Sequence, residues 1–294
     1  MLVPAPVPVP WAISHAALPI VEHLDPDRIR VYFTGRDERS RGHIGTVDVD
    51  LSDAKEALTP AVEPVLRPGP LGAFDDNGVT SSCLVRDNAT RYLYYSGWSL
   101  GVTVPFYFYA GCAVSEAGGA FERISAAPIL ERNDVDPYLT ASPWVLHEGD
   151  TWRMWYVSGV GWSEGADPRP RYHVKYAESH DGVSWSRDGQ VCLDFQHPGE
   201  YAIGRPCVRR EGDRYRMWYC YRGDAYRLGY AESPDGVTWT RKDDEIQLSG
   251  PSADFDAEMQ AYPVVEELRG EPHLLYNGDR YGATGIGWAV AEAD

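Results

Sequence analysis

Five times along the chain one short pattern returns, and that periodicity limits the fold more than any other feature. The copies are HAALPIV (15–21), GVTSSCLV (78–85), YLTASPWVL (138–146), AIGRPCV (202–208) and MQAYPVV (259–265). Each holds an anchor, a proline or small residue followed by alternating apolar residues: Pro19, Cys83, Pro143, Pro206 and Pro263. Successive anchors stand 64, 60, 63 and 57 residues apart. Behind each anchor comes a polar turn, then an aromatic run (IRVYFTG, YLYYSGW, RMWYVSG, RMWYCYRG, HLLYNGD), then a third alternating run. Period-two alternation in β-branched and aromatic residues predicts strands, and short polar turns between them predict antiparallel meanders. Two units add a fourth strand through ESHDGVSWSR (178–187) and ESPDGVTWTR (232–241). In both, Asp-Gly makes a tight turn under which the Trp folds back, a structural role.

Apart from DAKEALTP (53–60), no stretch carries useful helical periodicity. Five meanders of about sixty residues predict an all-β protein, a five-bladed β-propeller forming one domain over 1–294. The first blade is expected to borrow a strand from the other terminus, so that closure removes exposed sheet edges. The start, MLVPAPVPVPW, lacks a basic segment and its prolines break any apolar helix. It reads as an extended arm lying on the fold, not a signal peptide or membrane span, and a cytoplasmic location is expected. The five cysteines include no CxxC pair, which argues against zinc and for reduced, buried thiols.

The formal net charge is -17. Such a surface repels nucleic acid and anionic membrane, and a polyanionic substrate would need a local basic pocket. Ten Trp and nineteen Tyr suit both strand packing and stacking on a sugar's apolar face.

The stretches FDDNGVTSSCLV, TASPWVLHEGDTWRMWYVS, RPCVRREGDRYRMWYCYRG and YNGDRYGATGIGWAV, with paired Tyr/Trp on the second strand, resemble the five-bladed glycoside hydrolases. These include the family 43 arabinanases and xylosidases and the family 32 invertases; the chain is also similar to the glycosyl hydrolase-like propellers of bacterial sugar-biosynthesis loci. The resemblance covers nearly the whole chain and implies a carbohydrate or sugar-derived substrate. Those families commonly place a catalytic Asp just before the anchor and an acid Glu two before it. Here the residues just before the anchors are Leu18, Ser82, Ser142, Arg205 and Tyr262, and two before are Ala17, Ser81, Ala141, Gly204 and Ala261. None is acidic, so the catalytic triad does not carry over by position, and fold alone does not define activity.

Acids recur earlier, where each blade begins. Asp76, Asp136 and Asp256 stand seven before their anchors, Glu200 six and Glu258 five. Glycoside chemistry needs one protonated and one ionised carboxyl group, which makes Asp76, Asp136, Glu200 and Glu258 the catalytic candidates. Capping of loops by backbone N–H bonds explains the same recurrence equally well. Candidate substrate-binding residues gather at the same rim: Arg36, Trp98, Tyr138, His173, Arg205, Arg222, Asp256, Tyr262 and Asn277. Arg36, Arg205 and Arg222 would grip a carboxylate or phosphate through paired N–H bonds, or else neutralise nearby acids. No cofactor motif stands out; related propellers sometimes hold calcium in the channel, but no ligand spacing here demands one. Three functions follow in order: a glycosidase-like enzyme, a non-hydrolytic isomerase, cyclase or lyase on a sugar-derived intermediate, and a sugar-binding propeller without catalysis.

Overall fold

The computed structural model describes residues 2–52, 56–57, 60–248 and 254–290. The described strands fall into five antiparallel meanders. Blade 1 is β1 (Ser14–Asp25), β2 (Arg28–Arg36), β3 (Gly42–Asp50) and β4 (Glu56–Ala57). Blade 2 is β5 (Gly78–Asp87), β6 (Thr90–Leu100), β7 (Phe106–Glu116) and β8 (Glu122–Arg123). Blade 3 is β9 (Thr140–Glu148), β10 (Thr151–Trp162), β11 (Pro170–Ser179) and β12 (Val191–Leu193). Blade 4 is β13 (Ala202–Glu211), β14 (Arg214–Arg222), β15 (Tyr226–Ser233) and β16 (Thr240–Arg241), and blade 5 is β17 (Ala261–Leu268), β18 (Glu271–Asn277) and β19 (Ile286–Val290). Short fourth strands thus occur in blades 1 and 2 as well as in the two blades whose turns signal them. Of the 53–60 stretch, 53–55 and 58–59 lie outside the described residues, while Glu56–Ala57 pairs with β3.

Ring closure differs from expectation. The last blade borrows from the N-terminal arm, not the first blade from the other end: Val3 bridges Ile286 of β19, with Leu2 N–H donating to the Ile286 carbonyl at 2.8 Å. The arm then runs beneath blade 1, where Trp11 is buried against Phe33 and donates its indole N–H to the Ala61 and Val62 carbonyls. The arm's prolines suit this extended path, since they fix φ and donate no N–H.

Blades touch through large apolar faces. One core cluster runs continuously from Tyr32 and Ile44 through Tyr94, Trp144, Trp155 and Met217 to Val264. The Asp-Gly turns lock neighbouring blades: Tyr94 of blade 2 donates to the Gly182 carbonyl at 2.8 Å, and Trp155 of blade 3 to the Gly236 carbonyl at 2.7 Å. All five cysteines are free and buried. Among the described residues no helix is long and apolar enough to cross a membrane.

Candidate functional site

Every inner strand breaks register at its anchor. The residue before the anchor proline sits in left-handed backbone in four blades: Leu18 (φ 54), Ser142 (φ 45), Arg205 (φ 56) and Tyr262 (φ 58). A bulge of this kind swings one side chain out of strict alternation, and a non-glycine residue held there is costly enough to suggest a use. All four line a cavity of about 600 Å³ at the head of the ring. Second strands contribute Arg36, Ser96, Val157 and Arg222 to its wall, and third strands contribute Phe106, Phe108, Tyr172 and Tyr226 near their starts.

The funnel is rich in donors. Arg205 is 2% exposed, and its two terminal nitrogens donate to the Ser82 and Pro19 carbonyls at 2.5 and 2.6 Å, crossing from blade 4 to blades 2 and 1. Its Nε has no hydrogen-bond partner, nor does Nε of Arg222 or the hydroxyl of Tyr201, all buried atoms. Arg222 lies over three phenol rings, Tyr226, Tyr201 and Tyr281, at 5.2, 5.5 and 5.6 Å. Tyr172 and Tyr226 share a hydroxyl–hydroxyl hydrogen bond, so one phenol proton of the pair needs a further acceptor. Neither Arg36, Arg205 nor Arg222 meets a carboxylate among the described residues. The only acidic side chain in the described wall is Asp167, 3.8 Å from Arg169.

Burial pushes Arg205 down to about 10, so it stays charged at neutral pH. Burial also lowers Arg36. For Arg222 burial works downward, but the neighbouring phenols Tyr281, Tyr201 and Tyr226 raise it overall. Burial, with Arg36 and Arg280 close by, pushes His15 down to about 4, which leaves it neutral.

Most of the acids at the starts of the blades are held by neighbouring side chains or N–H groups. Asp136 is fully buried and accepts from Ser158 Oγ at 2.6 Å and Tyr156 Oη at 2.9 Å, with Arg187 at 3.1 Å and Lys175 at 3.3 Å. In blade 2 the matching clamp is Asp75, held by Arg123 at 2.8 Å and Tyr95 at 3.2 Å, while Asp76 caps the Gly72 N–H. Glu200 accepts two hydrogen bonds from Arg241, each 2.8 Å; burial opposes its ionisation, but Arg241 and the Gln196 N–H hold its carboxyl below the ordinary range. Asp256 is buried and accepts from Tyr276 at 2.9 Å, and Glu258 is exposed. None of these acids is among the funnel's lining residues.

The structure thus brings together Arg36, Arg205, Arg222 and Tyr262 of the sequence candidates. Trp98 instead wedges against Gly42 and Gly78 between blades 1 and 2. His173 is buried 3.2 Å from Asp194, outside the funnel lining. Asn277 is a pin: its amide oxygen accepts from the Leu18 N–H, and its nitrogen donates to the Ala16 and Gly285 carbonyls, tying blade 5 to blade 1. Tyr138 is 41% exposed, just ahead of β9. Sequence reasoning missed Tyr172, Tyr201, Tyr226 and Tyr281. One of these lies one residue from a named position, Tyr172 beside His173, and in a strand one residue is the opposite face. Among the described residues no group of three His, Cys, Asp or Glu is arranged to hold a metal ion.

Solved structures share this architecture. One described as a glycoside hydrolase superposes with a TM-score of 0.73 at 18% identity, over 99% of this chain and 93% of its own. A thermostable family-43 glycoside hydrolase gives 0.71 at 15% identity, over 99% and 93%. A sucrose-6-phosphate hydrolase from Lactobacillus gasseri gives 0.65 at 11% identity, over 96% of this chain and 61% of that one. The ring therefore shares the five-bladed β-propeller fold of these glycoside hydrolases. No family model matches the chain. The uncharacterised proteins MT1551 and Rv1502, from two strains of Mycobacterium tuberculosis, are each 46% identical over 284 residues, 96% of this chain and 94% of theirs. The chain belongs to the family of these mycobacterial proteins.

Proposed function

We propose that the funnel binds an anionic, sugar-derived ligand, gripped by arginine and tyrosine donors. One observation carries this reading: Arg36, Arg205 and Arg222 converge on the funnel, none of them paired with a carboxylate among the described residues, and buried donors beside them lack acceptors. Sugar hydroxyls both give and take hydrogen bonds, whereas phosphate and carboxylate oxygens only accept, so an excess of donors favours an oxyanion. The sugar part of the proposal rests on the fold's relatives, one of which is a sucrose-6-phosphate hydrolase.

Hydrolysis by a carboxylate pair requires two acids flanking the scissile bond. The described lining supplies Asp167 alone, and Asp76, Asp136, Glu200 and Glu258 are engaged elsewhere or exposed. A second reading, turnover without hydrolysis, is favoured by the Tyr172–Tyr226 pair beside Arg222. Phenols can pass a proton while a guanidinium neutralises the ligand's charge, which suits isomerisation or elimination on an acidic sugar.

The test is calorimetric titration with sugar phosphates, uronates and their neutral parent sugars. The anionic member of each pair should bind roughly tenfold tighter or better, and Arg222→Ala should erase the difference. Equal affinity for neutral and anionic sugars would overturn the proposal. Incubation with a bound ligand, followed by mass spectrometry, tests the second reading: a rearranged product of equal mass, or two elimination fragments without added water, supports it.

A further inference from the structure

The funnel has two unlike walls. Blades 4, 5 and 1 supply Arg222, Arg205, Arg36 and most of the tyrosines, while blades 2 and 3 supply Pro105, Phe106, Phe108, Leu139 and Val157, with Tyr172 and the loop residues Asp167 and Arg169 beside them. The apolar wall continues outward past the mouth. Phe106 meets Phe108 at 5.0 Å and Trp162 at 5.4 Å, both edge-on, which joins the tips of blades 2 and 3 in one aromatic surface. Beyond it stand Leu100 at 67%, Val102 at 103% and Val160 at 37% exposure.

This placement is not the scatter expected of surface apolar residues. Nine large hydrophobic residues are exposed among the described residues; one of them, Tyr281, lines the funnel, and three more, Leu100, Val102 and Val160, lie near the ends of β6 and β10 or in the loop after β6, close in sequence to the lining residues Pro105, Phe106 and Val157. The rest of the chain is strongly acidic. A local apolar surface on such a protein, continuous with a cavity, marks a binding surface.

We infer that the funnel's ligand is an amphiphile, an anionic head joined to an apolar group, and that the tips of blades 2 and 3 receive the apolar group. This deepens the anion-binding reading and rests on it for the head alone. The occupant of the apolar lip is fixed by continuity: Phe106 and Phe108 belong to both the funnel wall and the outer cluster, so a chain leaving the head along blade 2 runs from them onto the neighbouring Leu100 and Val102, while the charged pair Asp167 and Arg169 lines the funnel from the β10–β11 loop of blade 3.

The experiment uses inorganic phosphate, butyl phosphate and octyl phosphate below micelle-forming concentration, with octyl glucoside as the uncharged control. Burying a methylene is worth about 0.8 kcal/mol, or up to roughly fourfold in affinity. Octyl phosphate is expected to bind at least about a hundredfold tighter than inorganic phosphate. In a Leu100→Ser/Val102→Ser variant, whose side chains are exposed and outside the anion site, the gain from the chain should shrink by tenfold or more, roughly, with phosphate affinity unchanged. Arg222→Ala should do the reverse.

Phosphate binding with no dependence on chain length overturns the amphiphile and leaves the anion site standing. Chain dependence that persists in the double variant also overturns it, because the chain then lies elsewhere. Octyl glucoside binding as tightly as octyl phosphate supports the lip but defeats the anion reading. Light scattering completes the test: a dimer that the double variant dissociates would show that the lip joins two copies, and would overturn the inference.

Discussion

Asp136 shows how a chemically suggestive residue becomes a structural one. Both oxygens are taken up by Tyr156, Ser158, Arg187 and Lys175 in a fully buried site. Asp136→Asn keeps the shape but leaves buried cations short of an anion, which costs about 3 kcal/mol by the measure of broken buried pairs. Urea unfolding should show that loss, while the variant's affinity for the funnel's ligand stays within about twofold. A folded, stable variant that no longer binds or turns over ligand would return Asp136 to the site. Arg205→Ala should cost about 3 kcal/mol too, because the Pro19 and Ser82 carbonyls lose their donors; unlike Asp136→Asn, it should also abolish anion binding. The sequence made the difference between these two residues only half legible. Arg205 could be found because it breaks a repeat otherwise filled by small or neutral residues at the anchor. The clamp role of Asp136 could not, because its partners come from β10, β11 and the turn before β12, and only the folded blade brings them together. Tyr172 was lost to a single-residue error in strand phase, which alternation turns into the wrong face, while Tyr201 and Tyr281 lie outside the strands, where alternation gives no signal.

At the scale of elements, the repeat exposed the strands well because each meander uses local turns and period-two patterning. The Asp-Gly turns are the clearest case. Asp235 accepts from the Val237 and Thr238 N–H groups at 2.8 and 2.7 Å and from Ser233, while Gly236 offers its carbonyl to Trp155 of the preceding blade. The Thr238 and Val237 N–H groups hold the Asp235 carboxyl at about 2, below its ordinary 3.8. The folded-state value is depressed, so the turn's contribution is fully present above about pH 4 and fades as pH falls toward 2. The gap in urea midpoint between wild type and Asp235→Ala should therefore be widest near neutrality and should narrow by about pH 2.5. A gap that grows on acidification would mean the carboxylate is not what stabilises the turn. The bulges at the anchors were less legible, since a proline marks the place but not the left-handed backbone of the residue before it.

At the scale of the molecule, closure and charge matter most. The arm seals blade 5 to blade 1, and Trp11 is its main apolar contact, 3% exposed. Trp11→Ala should cost about 3–5 kcal/mol and, if closure makes the ring cooperative, should separate the unfolding of blades 1 and 5 from the rest; a single unchanged transition would show that the arm is dispensable. Charge yields the less obvious prediction. The chain carries a formal net charge of -17, yet the proposed site is an arginine funnel. An approaching anion meets long-range repulsion first and short-range attraction only inside. Salt shortens the screening length from about 30 Å at 0.01 M to about 10 Å at 0.1 M, which removes the repulsion felt at a distance and spares contacts made within the cavity. The association rate of octyl phosphate, followed by stopped-flow tyrosine and tryptophan fluorescence, should therefore rise across that range, and the dissociation rate should change little. Sites whose whole surface attracts the ligand behave the opposite way. A falling association rate would mean that the funnel's own field reaches far into solvent and governs capture despite the acidic exterior.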